Sequence, residues 1–156
     1  MDEAQRLAAS IVHRYLTLSR YQHRFGHMLR REYGVSGQQL AVLRYLVQGA
    51  PHSVHEIGDH LCVTAGTASP LLDRMERDGL VQRYRCSDDS RKVYIEPTEK
   101  GRDIAGRAPL GGIGSMRAHL PELPVEELWQ IEKALTRLEE VARVNEDLLT
   151  RKGDMA

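Results

Sequence analysis

Little in this 156-residue chain points to covalent chemistry or to a membrane. Its two cysteines, Cys62 and Cys86, are too few and too scattered for a disulfide framework or a thiolate zinc site. No apolar run approaches the roughly 18 residues that a spanning helix needs. The opening Met1-Asp2-Glu3-Ala4-Gln5 is acidic and polar where a secretory leader would be basic and then apolar, so a cytoplasmic protein is expected. Internal repeats and low-complexity segments are missing too. There is no net charge: 22 Lys+Arg balance 22 Asp+Glu. A strongly basic total would favour nucleic acid, so any such partner must be met by local placement of charge. We find no nucleophile–base pairing, phosphate loop or carboxylate pair at useful spacing, so neither an enzyme nor a cofactor is expected.

What is present is mostly helix. Leu7, Ile11, Tyr15, Leu18, Gln22, Phe25 and Leu29 recur every three or four residues, which predicts one long helix over residues 3–31 with an apolar stripe. Gly34 stops it, and Ser36 caps a second helix carrying Leu40, Leu43, Leu46 and Val47. Ser53-Val54-His55-Glu56 is a capping box that opens a short helix burying Ile57 and Leu61. After the tight Cys62-Val63 connection, Thr64 caps a helix with Ala68, Leu71, Leu72 and Met75 inward and Gly79 at its end. Leu80 to Arg85 and Val93-Tyr94-Ile95 read as a hairpin whose polar tip, Cys86 to Lys92, has turn chemistry. Pro97 ends it, and Thr98 caps a helix to about Arg107. Pro109, Gly111, Gly112 and Gly114 predict a break, with a short helix around Met116 to Leu120. Pro124 then sits at a first helical position, opening a last helix with Leu128, Ile131, Leu135, Leu138, Val141, Asn145 and Leu148 on one side.

The expected fold is therefore mostly α with a small β-hairpin wing (α+β): a winged helix-turn-helix over residues 35–107, flanked by a helical dimerisation region of residues 1–34 and 108–156. The terminal helices carry long stripes with little to cover them, and a bundle of four such helices from two chains buries both. In the middle segment the first short helix braces the second, whose start enters the major groove. That start offers Thr64, Ala65, Gly66, Thr67 and Ser69, small and polar enough for close approach, followed a few turns on by Arg74. The wing supplies Ser90, Arg91 and Lys92, with Arg91 suited to a narrow minor groove. Asp89 can hold the Arg91 guanidinium, or the two can simply stabilise the turn.

Within residues 53–101, Ile57 to Leu61, Val63-Thr64, the run Leu71-Leu72-Asp73-Arg74-Met75-Glu76-Arg77-Asp78-Gly79-Leu80-Val81, Asp89-Ser90-Arg91 and Thr98-Glu99-Lys100-Gly101 together resemble the MarR family. The resemblance implies a sequence-specific transcriptional regulator, usually a repressor, binding a pseudo-palindromic operator in double-stranded DNA as a homodimer. A small ligand or oxidant would release it. It also implies Arg91 as the minor-groove residue and the Thr64–Arg74 helix as the reader. The chain departs from the family pattern by having no charge in the reading turn before Asp73 and by placing Pro70 inside that helix. Gly66 to Leu72 looks most like the organic-peroxide-sensing branch, whose sensing Cys would fall near Val12; this helix has none, so a noncovalent effector is expected. His13, Tyr15 and Tyr45 are the candidates to line its pocket, with core packing the competing role.

Two weaker regulatory readings remain. Cys62 and Cys86 lie where oxidation would disturb docking, yet only Arg83 and Arg85 stand near to lower a thiol pKa, and free cysteine commonly just fills space. His23 and His27 stand one turn apart, and His52, His55 and His60 form a looser group, but no acidic partner completes either, so no metal is expected. A winged helix used for protein contact, without a DNA target, is the other class that zero net charge would suit.

Overall fold

In the computed structural model, which describes residues 2–85 and 93–145, side-chain caps set most of the element boundaries. Asp2 accepts the Gln5 backbone N–H at 2.8 Å and opens α1 (Glu3–Tyr33), which Gly34 closes in the left-handed region at φ 70°. Ser36 and Gln39 form a reciprocal capping box for α2 (Gly37–Gly49). Ser53 and Glu56 do the same for α3 (Val54–Leu61), with the Ser53 N–H donating to the Glu56 carboxylate at 2.7 Å. Thr64 caps α4 (Ala65–Arg77), and Thr98 caps α5 (Glu99–Arg107) while donating its hydroxyl to the Gly79 carbonyl at 2.6 Å. Each cap satisfies backbone groups that a helix end leaves without partners.

The hairpin strands are β2 (Val81–Arg85) and β3 (Val93–Pro97), paired antiparallel from Val81 opposite Pro97 to Arg85 opposite Val93. A third strand was not anticipated. Residues His52–Ser53, β1, add to the other edge of β3, with His52 opposite Ile95, giving the order β1-β3-β2. Two residues are too short for any alternation to announce them. Leu80 is not a strand residue: its N–H returns to the Met75 carbonyl and its side chain is buried.

The core lies where α2, α3, α4, α5 and the sheet meet. Leu29, Leu43, Leu46, Ile57, Leu72, Met75 and Ile95 are fully enclosed there. Arg44 reaches from α2 to the end of α5, donating to the Ala108 and Pro109 carbonyls at 2.8 and 3.0 Å; its partial burial lowers the guanidinium pKa.

The chain divides into two compact units, Met1–Gly114 and Ser115–Ala156. α6 spans Gly112–His119, beginning earlier than the expected Met116, because Gly112 takes φ 57° and releases the chain into helix at once. A short 3₁₀ turn, Leu120–Glu122, follows. Pro124 is the cap of α7 (Val125–Ala142) and not its first residue, since its ψ of 143° is still extended. α7 ends where Arg143 turns left-handed at φ 52°, so Asn145 lies beyond the helix; Leu148 falls outside the described residues. Among the described residues no helix is long and apolar enough to cross a membrane.

Two predictions follow from this packing. A Cβ at Gly101 would overlap the Leu80 carbonyl and approach Leu43 Cδ2 to 2.9 Å, so Gly101→Ala should cost about 1–3 kcal/mol in denaturant unfolding; an unchanged midpoint would contradict the α5 placement. The Glu56 carboxyl is held below its ordinary range by hydrogen bonds from the Ser53 backbone and hydroxyl. A lowered folded pKa gives stability that is present above the unfolded carboxylate pKa and is lost as pH falls through the folded one. The melting-temperature advantage of the wild type over Glu56→Gln should therefore shrink on acidification across that window and not widen.

Candidate nucleic-acid interface

The turn between α3 and α4 is tight because Cys62 adopts φ 57°, ψ 40°, letting its own N–H return to the Asp59 carbonyl and that of Val63 to the Gly58 carbonyl. Gly58 is required beneath it, as an added Cβ would lie 2.9 Å from the Val63 carbonyl oxygen. α4 then begins with its polar end outward. Thr64, Ala65, Gly66 and Thr67 are exposed as one continuous turn, and burial starts abruptly at Ala68. The Thr64 hydroxyl is partly committed, accepting from the Thr67 N–H at 3.2 Å and standing 3.1 Å from the Thr67 hydroxyl. Ser69 is half-buried, while Arg74, five residues further on, is exposed. Pro70 lies within α4, which continues through it to Arg77; the bond it removes would have gone to the carbonyl of Gly66, in the exposed turn where water can replace it.

Beside this helix stands the wing. Its stem is held by the Tyr84–Tyr94 ring pair, with centroids 6.0 Å apart. The tip, with Cys86, Asp89, Ser90, Arg91 and Lys92, lies outside the described residues. Ser69, Val54, Arg83, Tyr84, Arg85 and Val93 line an open groove of about 470 Å³ between α4 and the stem.

The sequence reading missed the role of Arg83. Its guanidinium on β2 meets Asp73 at 2.7 Å and Glu76 at 3.5 Å, joining the wing stem to α4. Asp73 and Glu76 are three apart on one helix face, which was a legible signal; the identity of the strand residue facing them was not. The single charge of Arg83 offsets one of these two carboxylates on the face of α4 beside the wing stem.

The residues expected to line an effector pocket are not brought together. Tyr45 on α2 is sandwiched between the rings of His52 and His60, each with its centroid 4.1 Å away and nearly parallel. Both faces of its ring are thus occupied. His13 and Tyr15 are exposed on α1, and among the described residues no hydrogen bond or ring contact joins either to Tyr45. Cys62 is exposed at the helix-turn-helix corner. The described residues contain no cluster of three or more metal-ligating side chains.

Known proteins share this arrangement. The sequence profile of the MarR family matches residues 35–93. The homoprotocatechuate degradative operon repressor of Escherichia coli is 30% identical over 102 residues, which cover 62% of this chain and 69% of that protein. MgrA, an HTH-type transcriptional regulator of Staphylococcus aureus, is 28% identical over 134 residues, covering 86% of this chain and 88% of MgrA. Among solved structures, overoxidized AbfR bound to DNA superposes with a TM-score of 0.60 and 27% identity, covering 89% of this chain and 97% of that one. The helix-turn-helix and three-stranded wing thus occur here in a chain of matching sequence, and the protein belongs to the MarR family of DNA-binding transcriptional regulators.

Proposed function

We propose that this regulator is a repressor that binds a pseudo-palindromic operator as a homodimer and is released by a small molecule held noncovalently. The observation that carries the reading is the exposed turn Thr64–Thr67 at the start of α4, positioned to approach bases through small groups and hydroxyls. Residues 35–107 are the DNA-binding part in this proposal, with Thr64, Ala65, Gly66, Thr67, Ser69 and Arg74 facing the major groove. Ser90, Arg91 and Lys92 reach the adjoining backbone and minor groove, with Asp89 supporting Arg91. Repression is favoured by the E. coli relative, itself named an operon repressor. A noncovalent effector is favoured by the lack of any cysteine on α1.

Residues 1–34 and 108–156 form the dimerisation region in the same proposal. On α1, Leu7, Ile11, Tyr15 and Leu18 are each more than half exposed, and α7 buries none of its residues, leaving Trp129 67% and Leu135 54% exposed. Stripes this long are rarely left in water on a monomer. A second copy covers them, and two reading helices about 34–36 Å apart then meet successive major grooves. An effector acts by favouring dimers with another spacing.

Binding to DNA from upstream of the protein's own coding region tests the first part. Arg91→Ala should lower affinity about ten-fold or more at physiological salt; unchanged affinity would remove Arg91 from the interface. For the second part, light scattering should give the mass of two chains for the wild type and of one for the Leu135→Glu/Leu138→Glu variant. A monomeric wild type would overturn the dimer.

A further inference from the structure

α1 carries a second feature that neither DNA binding nor dimerisation uses. His23 and His27 turn their rings toward one another across one helical turn, edge to face with centroids 4.5 Å apart, and their Nε2 atoms stand 3.1 Å apart. Two histidines at this spacing need not converge, because each ring has rotamers that splay it into solvent. With metal–nitrogen bonds of about 2.0–2.1 Å, a 3.1 Å nitrogen separation corresponds to an angle of about 98° at a bound ion, between the tetrahedral and square or octahedral values. We propose that His23 and His27 form a two-imidazole chelate for a late first-row dication of the Cu²⁺ or Zn²⁺ type, with its remaining positions open to water or an exchangeable donor.

The surroundings select that class of ion. Between Glu3 and Glu32, α1 has no carboxylate, so nothing there suits Mg²⁺ or Ca²⁺, which require oxygen ligands. Imidazole nitrogen suits copper, zinc and nickel, with copper bound most tightly of the divalent series. Arg20, Arg24, Arg30 and Arg31 on the same helix disfavour a further positive charge, so the ion must be one that imidazole nitrogen binds strongly. Access is assured: both histidines are exposed and lie about 150° around an ideal helix from the Leu18, Gln22, Phe25 and Leu29 stripe. The pair therefore lies on a different face of α1 from that stripe. His52 and His60 offer no equivalent, since the ring of Tyr45 lies between them.

The test uses the full-length protein with CuCl₂ alone at neutral pH, read by calorimetry and by the nitrogen hyperfine pattern in electron paramagnetic resonance. The first equivalent should show two coordinated imidazoles. His23→Gln and His27→Gln should each weaken it about a hundredfold, as expected when a tethered second ligand is removed, and each should match the double variant. Circular dichroism should be unchanged, because both side chains are exposed. Equal affinity in the double variant, or single variants that each retain wild-type binding, would overturn the chelate.

Discussion

The bridge from Arg83 to Asp73 and Glu76 ties the wing stem to α4, the two pieces proposed to meet DNA. α4 presents its N-terminal turn, and the wing is anchored by β2. Arg83 is the charged tie between them, with its side chain only a quarter exposed at 25% and 2.7 Å from Asp73. The partners are about half exposed, so the tie contributes little free energy by itself. Its value is positional. Fixing the stem to the last turns of α4 leaves the first turn free, and the single positive charge of Arg83 offsets one of the two negative charges beside it.

That arrangement explains how a chain with no net charge can belong to a DNA-binding family. Nonspecific affinity comes from the number of phosphates neutralised. Here Asp73 and Glu76 share the single charge of Arg83, and Glu56 is held by the Ser53 cap. Arg74 remains exposed on α4, and the uncharged Thr64–Thr67 turn adds hydroxyls and a helix N-terminus without adding charge. The charges of α4 itself cancel, Asp73 and Glu76 against Arg74 and Arg77, and they all lie beyond its first two turns.

How far this could be read from residues depended on the range of the interaction. The capping box at Ser53, the Gly34 stop and the Ser36, Thr64 and Thr98 caps are contacts over three or four residues, and they were legible as written; that Gln39 returns the Ser36 contact was added by the structure. The Thr64–Thr67 turn was legible for the same reason. β1 was not, because His52–Ser53 becomes a strand only by finding β3 some forty residues on. The end of α7 at Arg143 was hidden as well, since an apolar repeat continuing to Leu148 says nothing of a left-handed residue within it. Tyr45 shows the sharpest difference. Its aromatic ring suggested a pocket wall, whereas the fold brings one histidine from β1 and one from α3 onto its two faces.

Tyr45 and the first helix together suggest where an effector signal would have to act. The His52–Tyr45–His60 stack ties α2 to β1 and to α3, and α3 is the brace beneath the reading helix. Near-parallel rings at 4.1 Å gain from dispersion and from exclusion of water, and such contacts favour one geometry over sliding alternatives. The stack thus joins α2, β1 and α3 around one ring. On α1, by contrast, the residues before Gln22 are all exposed, while Phe25 and Leu29 pack into the core further along. In the proposed dimer a second copy covers that exposed length, so α1 joins the interface at one end to the core at the other. A change in how two chains pack would then alter the spacing of their α4 helices without changing the shape of either.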